Sequence, residues 1–207
     1  MKGERIMEAL EAILSRRSIR KYTSEPVQEE TAILLLEAAM SAPSAGNEQP
    51  WHFIVISDRK ILSEISLVHP HAQMLNGAPM AILVCCDERL TRNQNYWVQD
   101  CSAATQNILI SIQAIGLGGV WVGVYPNEER VTSLRNIFRL SEHVIPFSLI
   151  SLGHPAEIKP PANRLDRSKI HFNQWKPGVP TNPVHHPPFL KIKRRIKSIL
   201  RKLLLLL

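Results

Sequence analysis

Cysteine is scarce in this chain, and where it occurs it has no useful spacing. Three are present in 207 residues. Cys85 and Cys86 are adjacent inside an apolar run and Cys101 stands apart, so there is no CxxC, no zinc-ligand spacing and no disulfide framework. Adjacent residues of a strand point to opposite faces, which separates Cys85 from Cys86. This usage leads us to expect a reducing, cytoplasmic compartment. The first ten residues, MKGERIMEAL, are charged and lack the apolar core of a secretory signal. No stretch approaches the roughly 18 consecutive apolar residues of a membrane span. Acid is missing from one place only. Residues 190–207 hold seven Lys and Arg and no Asp or Glu, whereas the preceding 189 residues carry both signs equally. The net charge of +7 is therefore a property of the tail, and the body gives no electrostatic reason to bind nucleic acid.

Also missing are a catalytic triad and a metal-binding cluster. His52, His69, His71 and His143 are scattered along the chain and read as surface or packing residues. A Rossmann fingerprint is absent too: Gly116-Leu117-Gly118-Gly119 lacks the GxGxxG spacing and precedes a strand instead of a helix.

The remaining pattern alternates helix and strand periods, giving an α+β or α/β domain that ends near Trp175. Helices are predicted over 6–15, 28–41, 59–68, 96–115 and 128–138, with Asn127 placed to cap the last. Strands are predicted over 51–57, 80–86, 120–125 and 145–152. The run MAILVCC at 80–86 is unbroken, as in a strand buried on both faces. The helix at 96–115 is apolar nearly all round, as in a helix buried within a domain or between subunits. Five of the fifteen prolines fall within 177–188, which makes 177–189 an extended linker. In 190–207 the apolar positions Ile192, Ile196, Ile199, Leu200 and Leu203 share one helical face. That pattern suits an amphipathic helix on an anionic membrane surface, a helix that binds a partner, or a frayed basic tail.

Three segments have the chemistry to hold a ligand. Arg16, Arg17, Ser18 and Arg20 lie within five residues, which suits a phosphate or simply a solvated basic helix end. Pro43 to Pro50 is a loop stiffened at both ends that displays Ser44, Asn47 and Gln49. It reads either as the partner of a heteroatom-rich ligand edge or as a connection. Gly118, Gly119 and Gly123 around Trp121 mark a backbone that closely approaches a ligand or a packed neighbour.

Taken in order, RRSIRKY, PSAGNEQPWHFIVI, GLGGVWVGVYP, LGHP and NRLDRSKIH resemble the FMN-dependent nitroreductase family over about residues 8–175. The resemblance implies an α+β fold with a mainly antiparallel sheet flanked by helices, in an intertwined homodimer with FMN at the subunit interface. It implies a nitroreductase-like FMN-binding domain over 1–176 and does not extend to the linker and the basic tail. It assigns Arg16, Arg17, Ser18 and Arg20 to the FMN phosphate and ribityl chain, with Arg164 closing on the phosphate. It also assigns Pro43, Ser44, Ala45, Asn47 and Gln49 to the partner subunit's flavin, and Val122, Gly123 and Val124 to the flavin ring edge. Asn76 offers an amide where larger members of the family use a lysine. The activity implied is ping-pong hydride transfer through flavin N5, from NADH or NADPH to a nitro, quinone or similar small acceptor. No side chain is then expected to be catalytic, because the redox chemistry belongs to the cofactor. The alternatives are a specialised flavin enzyme acting on an endogenous metabolite, and a membrane-tethered flavin sensor with little turnover.

Overall fold

A computed structural model describes residues 7–93 and 96–175 of the chain. The chain divides into two units, Met1–Pro161 and Ala162–Leu207. Among the described residues the first unit contains five α-helices: α1 (Ala9–Ser15), α2 (Glu29–Met40), α3 (Arg59–Val68), α4 (Trp97–Ala114) and α5 (Glu128–Phe138). It also contains four strands: β1 (Trp51–Ile56), β2 (Met80–Asp87), β3 (Gly118–Gly123) and β4 (Val144–Gly153). In the second unit the described residues run from 162 to 175 and include one 3-10 turn, Arg167–Lys169. The linker at 177–189 and the helical tail expected at 190–207 lie outside the described residues. Among the described residues no helix is long and apolar enough to cross a membrane.

The sheet is entirely antiparallel, in the order β1-β2-β4-β3. All eight residues of β2 are buried, and its alternation divides the core in two. Met80, Ile82, Val84 and Cys86 face α2 and α4, packing with Leu35, Ala39, Cys101, Ile108 and Ile112. Ala81, Leu83 and Cys85 face α3 and α5, packing with Leu62, Ile65, Val131 and Leu134. A strand covered on both sides needs no polar face, which is why its apolar run is unbroken. The two adjacent cysteines fall on opposite faces as expected, and all three thiols are buried and free.

Helix ends follow local chemistry. Asn127 Oδ1 accepts the Arg130 N–H at 3.0 Å and starts α5, and Asp58 Oδ1 accepts Lys60 N–H at 2.7 Å and starts α3. After α4, Gly116 takes φ +82° and Leu117 N–H returns to the Ile112 carbonyl at 2.9 Å. This left-handed glycine stop turns the chain directly into β3.

The basic segment after α1 lies along the outer edge of β3. Ser18 bridges to Gly119, and Ile19 N–H donates to the Gly119 carbonyl at 3.1 Å. That approach is possible because residue 118 has no side chain. A Cβ on Gly118 would stand 2.7 Å from Ile19 Cγ2 and 2.9 Å from Ile19 Cβ, distances that the neighbouring backbone must shift to relieve. We expect Gly118→Ala to destabilise the fold by about 1–3 kcal/mol, the usual cost of overpacking a tight contact. Urea denaturation measures this, and a midpoint equal to that of the parent protein would contradict it.

Candidate functional site

The segment from Arg16 to Tyr22 is fastened on two sides. On one side it meets β3 as described. On the other it meets residues 154–160: Tyr22 bridges to Pro155, Thr23 N–H donates to the His154 carbonyl at 2.9 Å, and Ala156 N–H donates to the Lys21 carbonyl at 2.9 Å. Glu157 Oε1 accepts the backbone N–H of Arg20 at 2.6 Å and of Lys21 at 3.3 Å. Those donors, with the Lys159 ammonium 3.3 Å away, hold its carboxyl below the usual range. Lys159 also donates to the Ser18 carbonyl at 2.6 Å. The Tyr22 hydroxyl meets the Ile19 carbonyl at 2.8 Å and Ser151 Oγ at 2.6 Å, and burial pushes its pKa up to about 12. The arginines thus project from a backbone that is itself immobilised.

Their side chains part ways. The Arg17 guanidinium donates to three backbone carbonyls: Pro160 at 2.8 Å, Leu14 at 3.2 Å and Arg16 at 2.6 Å. Arg16 forms the C-terminal cap position of α1. Arg20 is exposed and lines a cavity of about 420 Å³, together with Pro70, His71, Gln73, Met74 and the β3 residues Val120–Gly123. Both Val122 and Gly123 therefore share a cavity with Arg20, whereas Val124 is buried just behind it. Gly118 and Gly119 are packing glycines, crowded by Ile19 and Ile112. A Cβ on Gly123 would meet nothing within 4 Å, so that position opens outward.

The β3 edge facing this cavity is chemically incomplete. In an antiparallel strand the N–H and C=O of one residue point to the same side, alternating along the chain. Gly119 directs its carbonyl away from β4 to Ile19, and Gly123 directs its carbonyl away from β4 to His69 and Arg130. Trp121, midway between them, must also face outward. The N–H and C=O of Trp121 and the N–H of Gly123 thus form a short ladder of backbone groups along the cavity wall. Immediately beyond, Tyr125 N–H bonds the Phe147 carbonyl at 3.0 Å, so the pairing skips Val124.

The loop at 43–50 does not line this cavity. Ala45 N–H donates to Asp100 Oδ1 on α4 at 2.9 Å. Asp100 Oδ2 is buried with no hydrogen-bond partner among the described residues. Glu48 accepts the backbone N–H of Arg92 at 3.0 Å and of Asn93 at 3.2 Å. Gly46, Asn47 and Gln49 all have positive φ, at 58°, 57° and 51°, an unusual conformation for Gln. Gln49 is held in it by N–H to Ser44 Oγ at 3.0 Å and by its amide to Asn47 Oδ1 at 2.9 Å. Pro43, Asn47 and Gln49 are exposed, and Ser44 and Ala45 are half-buried. None of the five lines the cavity beside β3. Arg164 is exposed in the second unit.

Several contributors were not singled out by sequence reasoning. His69 is one of the packing residues the sequence allows for, but it and His71 also lie beside the cavity. His69 is 1% exposed with Nε2 2.9 Å from the Gly123 carbonyl, and His71 lines the cavity. The available signal was Pro70 between two histidines just after α3. Asn76, the expected amide donor, does not line the cavity; its Oδ1 accepts from Ser66 Oγ at 3.0 Å, and Gln73 occupies the wall instead. Among the described residues no cluster of His, Cys, Asp and Glu could hold a metal ion.

His71 N–H donates to His69 Nδ1 at 3.2 Å, so Nδ1 is unprotonated and Nε2 carries the proton toward Gly123. Burial holds this imidazole below its ordinary pKa of 6.5; the Gly123 carbonyl opposes the shift, and Arg130 and His71 add to it. In the unfolded chain the ring gains a proton near 6.5, and in the fold only at lower pH. Between those values the unfolded state binds more protons, so this group's stabilisation is present above 6.5 and is lost as pH falls toward the folded pKa. We expect melting temperature to drop more steeply between about pH 7 and about pH 5 in the parent protein than in His69→Gln. Parallel curves would refute it.

Comparison with known proteins identifies the relatives of this chain. The nitroreductase family model matches residues 13–70 and 66–154. A Methanothermobacter thermautotrophicus protein, provisionally named NADH dehydrogenase/NAD(P)H nitroreductase, is 52% identical over 169 residues, covering 82% of this chain and 88% of its own. A crystal structure with the same provisional name from Parabacteroides distasonis is 41% identical with a TM-score of 0.77, covering 81% of this chain and 98% of its own. A provisionally named nitroreductase from Desulfovibrio desulfuricans, solved in complex with FMN, is 31% identical with a TM-score of 0.71, covering 82% of this chain and 99% of its own. Because the family match runs through the arginine segment, the cavity wall and the whole sheet, the chain belongs to the nitroreductase family.

Proposed function

We propose that this protein is an FMN-dependent NAD(P)H oxidoreductase whose cavity beside β3 receives the flavin. The observation that carries the reading is the meeting of Arg20 with the incomplete edge of β3 in one cavity of about 420 Å³. The donor set suits the group. A guanidinium is available for a phosphate, Met74, Pro70 and Trp121 supply apolar wall, and the Trp121 and Gly123 backbone groups can serve a heteroatom-rich ring edge. FMN bound there supplies hydride transfer between a nicotinamide and a small electron acceptor such as a nitro compound or quinone, in two half-reactions.

The chain's own residues bind and orient. Arg20 neutralises the phosphate, and Arg16 and Ser18 stand beside it on the same fastened backbone. Arg17 locks that backbone through its three carbonyl contacts. Val122 and Val124 anchor the strand in the core, leaving its outer edge to the ligand. The wall of Pro70, Met74 and Trp121 excludes water from one face of the site.

We place the loop at 43–49 against the flavin of a second copy of the chain, in a homodimer. Two features support this. The loop is rigidly built yet remote from its own cavity wall, and α1 and α2 expose Leu10, Ile13, Leu14, Ile33, Leu34 and Met40 at 45–58%. Such a concentration of large apolar side chains on two helices that both pack against α4 is characteristic of a buried interface.

Purified full-length protein should be yellow, and NADH or NADPH should bleach it under anaerobic conditions. A colourless protein that also fails to take up added FMN would end the proposal. Arg20→Ala should weaken FMN binding by roughly tenfold to a hundredfold, the loss of about 1.5–3 kcal/mol for a charge-assisted hydrogen bond. Because that side chain is exposed, the melting temperature of the flavin-free protein should not move. Sedimentation should report a dimer, and Leu10→Asp with Leu14→Asp should shift it toward monomer and release FMN. A monomeric, fully flavinated parent protein would contradict the two-copy site.

A further inference from the structure

Gly123 presents a mechanical problem. It ends β3, it has no side chain to anchor it, and a Cβ placed there would contact nothing within 4 Å. A glycine in that setting is the loosest residue of the strand, yet its backbone forms one end of the donor ladder on the cavity wall. Pairing with β4 restrains it on one side only: the Gly123 N–H shares a planar peptide unit with the carbonyl of Val122, which pairs with Leu149 of β4, whereas the Gly123 carbonyl belongs to the next unit, at Val124, where the regular pairing stops.

The restraint comes from outside the sheet. The Gly123 carbonyl accepts two hydrogen bonds, from His69 Nε2 at 2.9 Å and from Arg130 Nη1 at 3.1 Å. The donors arrive from different elements: His69 is the C-terminal cap residue of α3, and Arg130 lies in the first turn of α5. Each is itself fixed. His69 is buried, and its ring is set by the His71 N–H on Nδ1. Arg130 sits on a helix start whose backbone is capped by Asn127. Two donors converging on one carbonyl from two directions define the orientation of the residue that carries it.

We propose that His69 and Arg130 are positioning residues: by holding the Gly123–Val124 peptide unit they stop the end of β3 from fraying, and so keep the preceding unit, with its Gly123 N–H, in place along the cavity wall as a donor to the bound flavin. Neither side chain needs to touch the flavin for this; both hold the Gly123–Val124 peptide unit and thereby limit the torsions of Gly123 that link it to the unit carrying the N–H. The assignment rests on the flavin reading of the cavity. It also explains why a buried histidine whose ring nitrogens are both engaged lies so near the site without serving as acid or base.

The test compares the full-length parent protein with His69→Ala, His69→Gln and Arg130→Ala. In flavin-free protein, amide hydrogen exchange over residues 121–125 should accelerate in His69→Ala and Arg130→Ala. His69→Gln, whose amide can donate to the same carbonyl, should restore it. In the FMN-loaded proteins, the visible flavin spectrum and the midpoint potential should shift in both alanine variants and return in His69→Gln. The dissociation constant for FMN should rise by about tenfold in His69→Ala, the equivalent of one lost hydrogen bond. Folded alanine variants with the parent's exchange, spectrum and potential would overturn the clamp. Should His69→Ala fail to fold, Arg130→Ala decides by the same comparison. A parent protein that takes up no FMN defeats the flavin reading instead, and the exchange measurement then judges the clamp alone.

Discussion

Every backbone N–H and C=O removed from water must find a partner, and an edge strand has only one neighbour to supply them. β3 lies at the edge of the sheet, and the way its outer side is completed organises everything around it. At one end Ile19 takes the Gly119 carbonyl, which brings the arginine segment alongside. At the other, His69 and Arg130 take the Gly123 carbonyl, which ties in the ends of α3 and α5. What remains between them is a short run of backbone groups without a sheet partner, walled by Arg20 and by residues 70–74. The cavity is the unfilled part of a strand edge.

Rigidity there is built from the far side. Residues 154–160 follow β4 and return to hold the arginine segment from behind through Glu157, Lys159 and the backbone pairs at Lys21 and Thr23. Clustered cations repel one another and favour solvent. The carboxylate of Glu157 and the carbonyls that accept from Arg17 and Lys159 offset that repulsion without using the exposed Arg20 side chain. The backbone that carries Arg20 is thus already placed, so less ordering entropy opposes the binding of an anion there.

The legible part of the fold follows from short-range rules. MAILVCC could only be a strand covered on both faces, and it is β2. Asn127 with Glu128 and Glu129 announced the start of α5. The glycines after Ile115 announced the stop of α4, although β3 begins at Gly118, two residues before the valine expected to open it, because Gly118 and Gly119 pair with β4 and admit Ile19 and Ile112. The arginine segment and the 43–50 loop were visible as unusual local chemistry. Their separation within the folded chain was not, because nothing in either segment encodes its distance from the other.

The sequence by itself determined the element types, the two-sided core and the kinship with nitroreductases, since these depend on periodicity, capping and motif order along the chain. Only the tertiary structure decided which strand would be an edge, and GGVWVG would read the same in the middle of a sheet. It also decided that Arg20 faces the cavity while Arg17 turns to backbone carbonyls, and that His69 and His71 join the site. Those outcomes depend on which donors and acceptors the folded chain brings within hydrogen-bonding distance, and residues 69 and 123 meet only once α3, β3 and α5 are packed together.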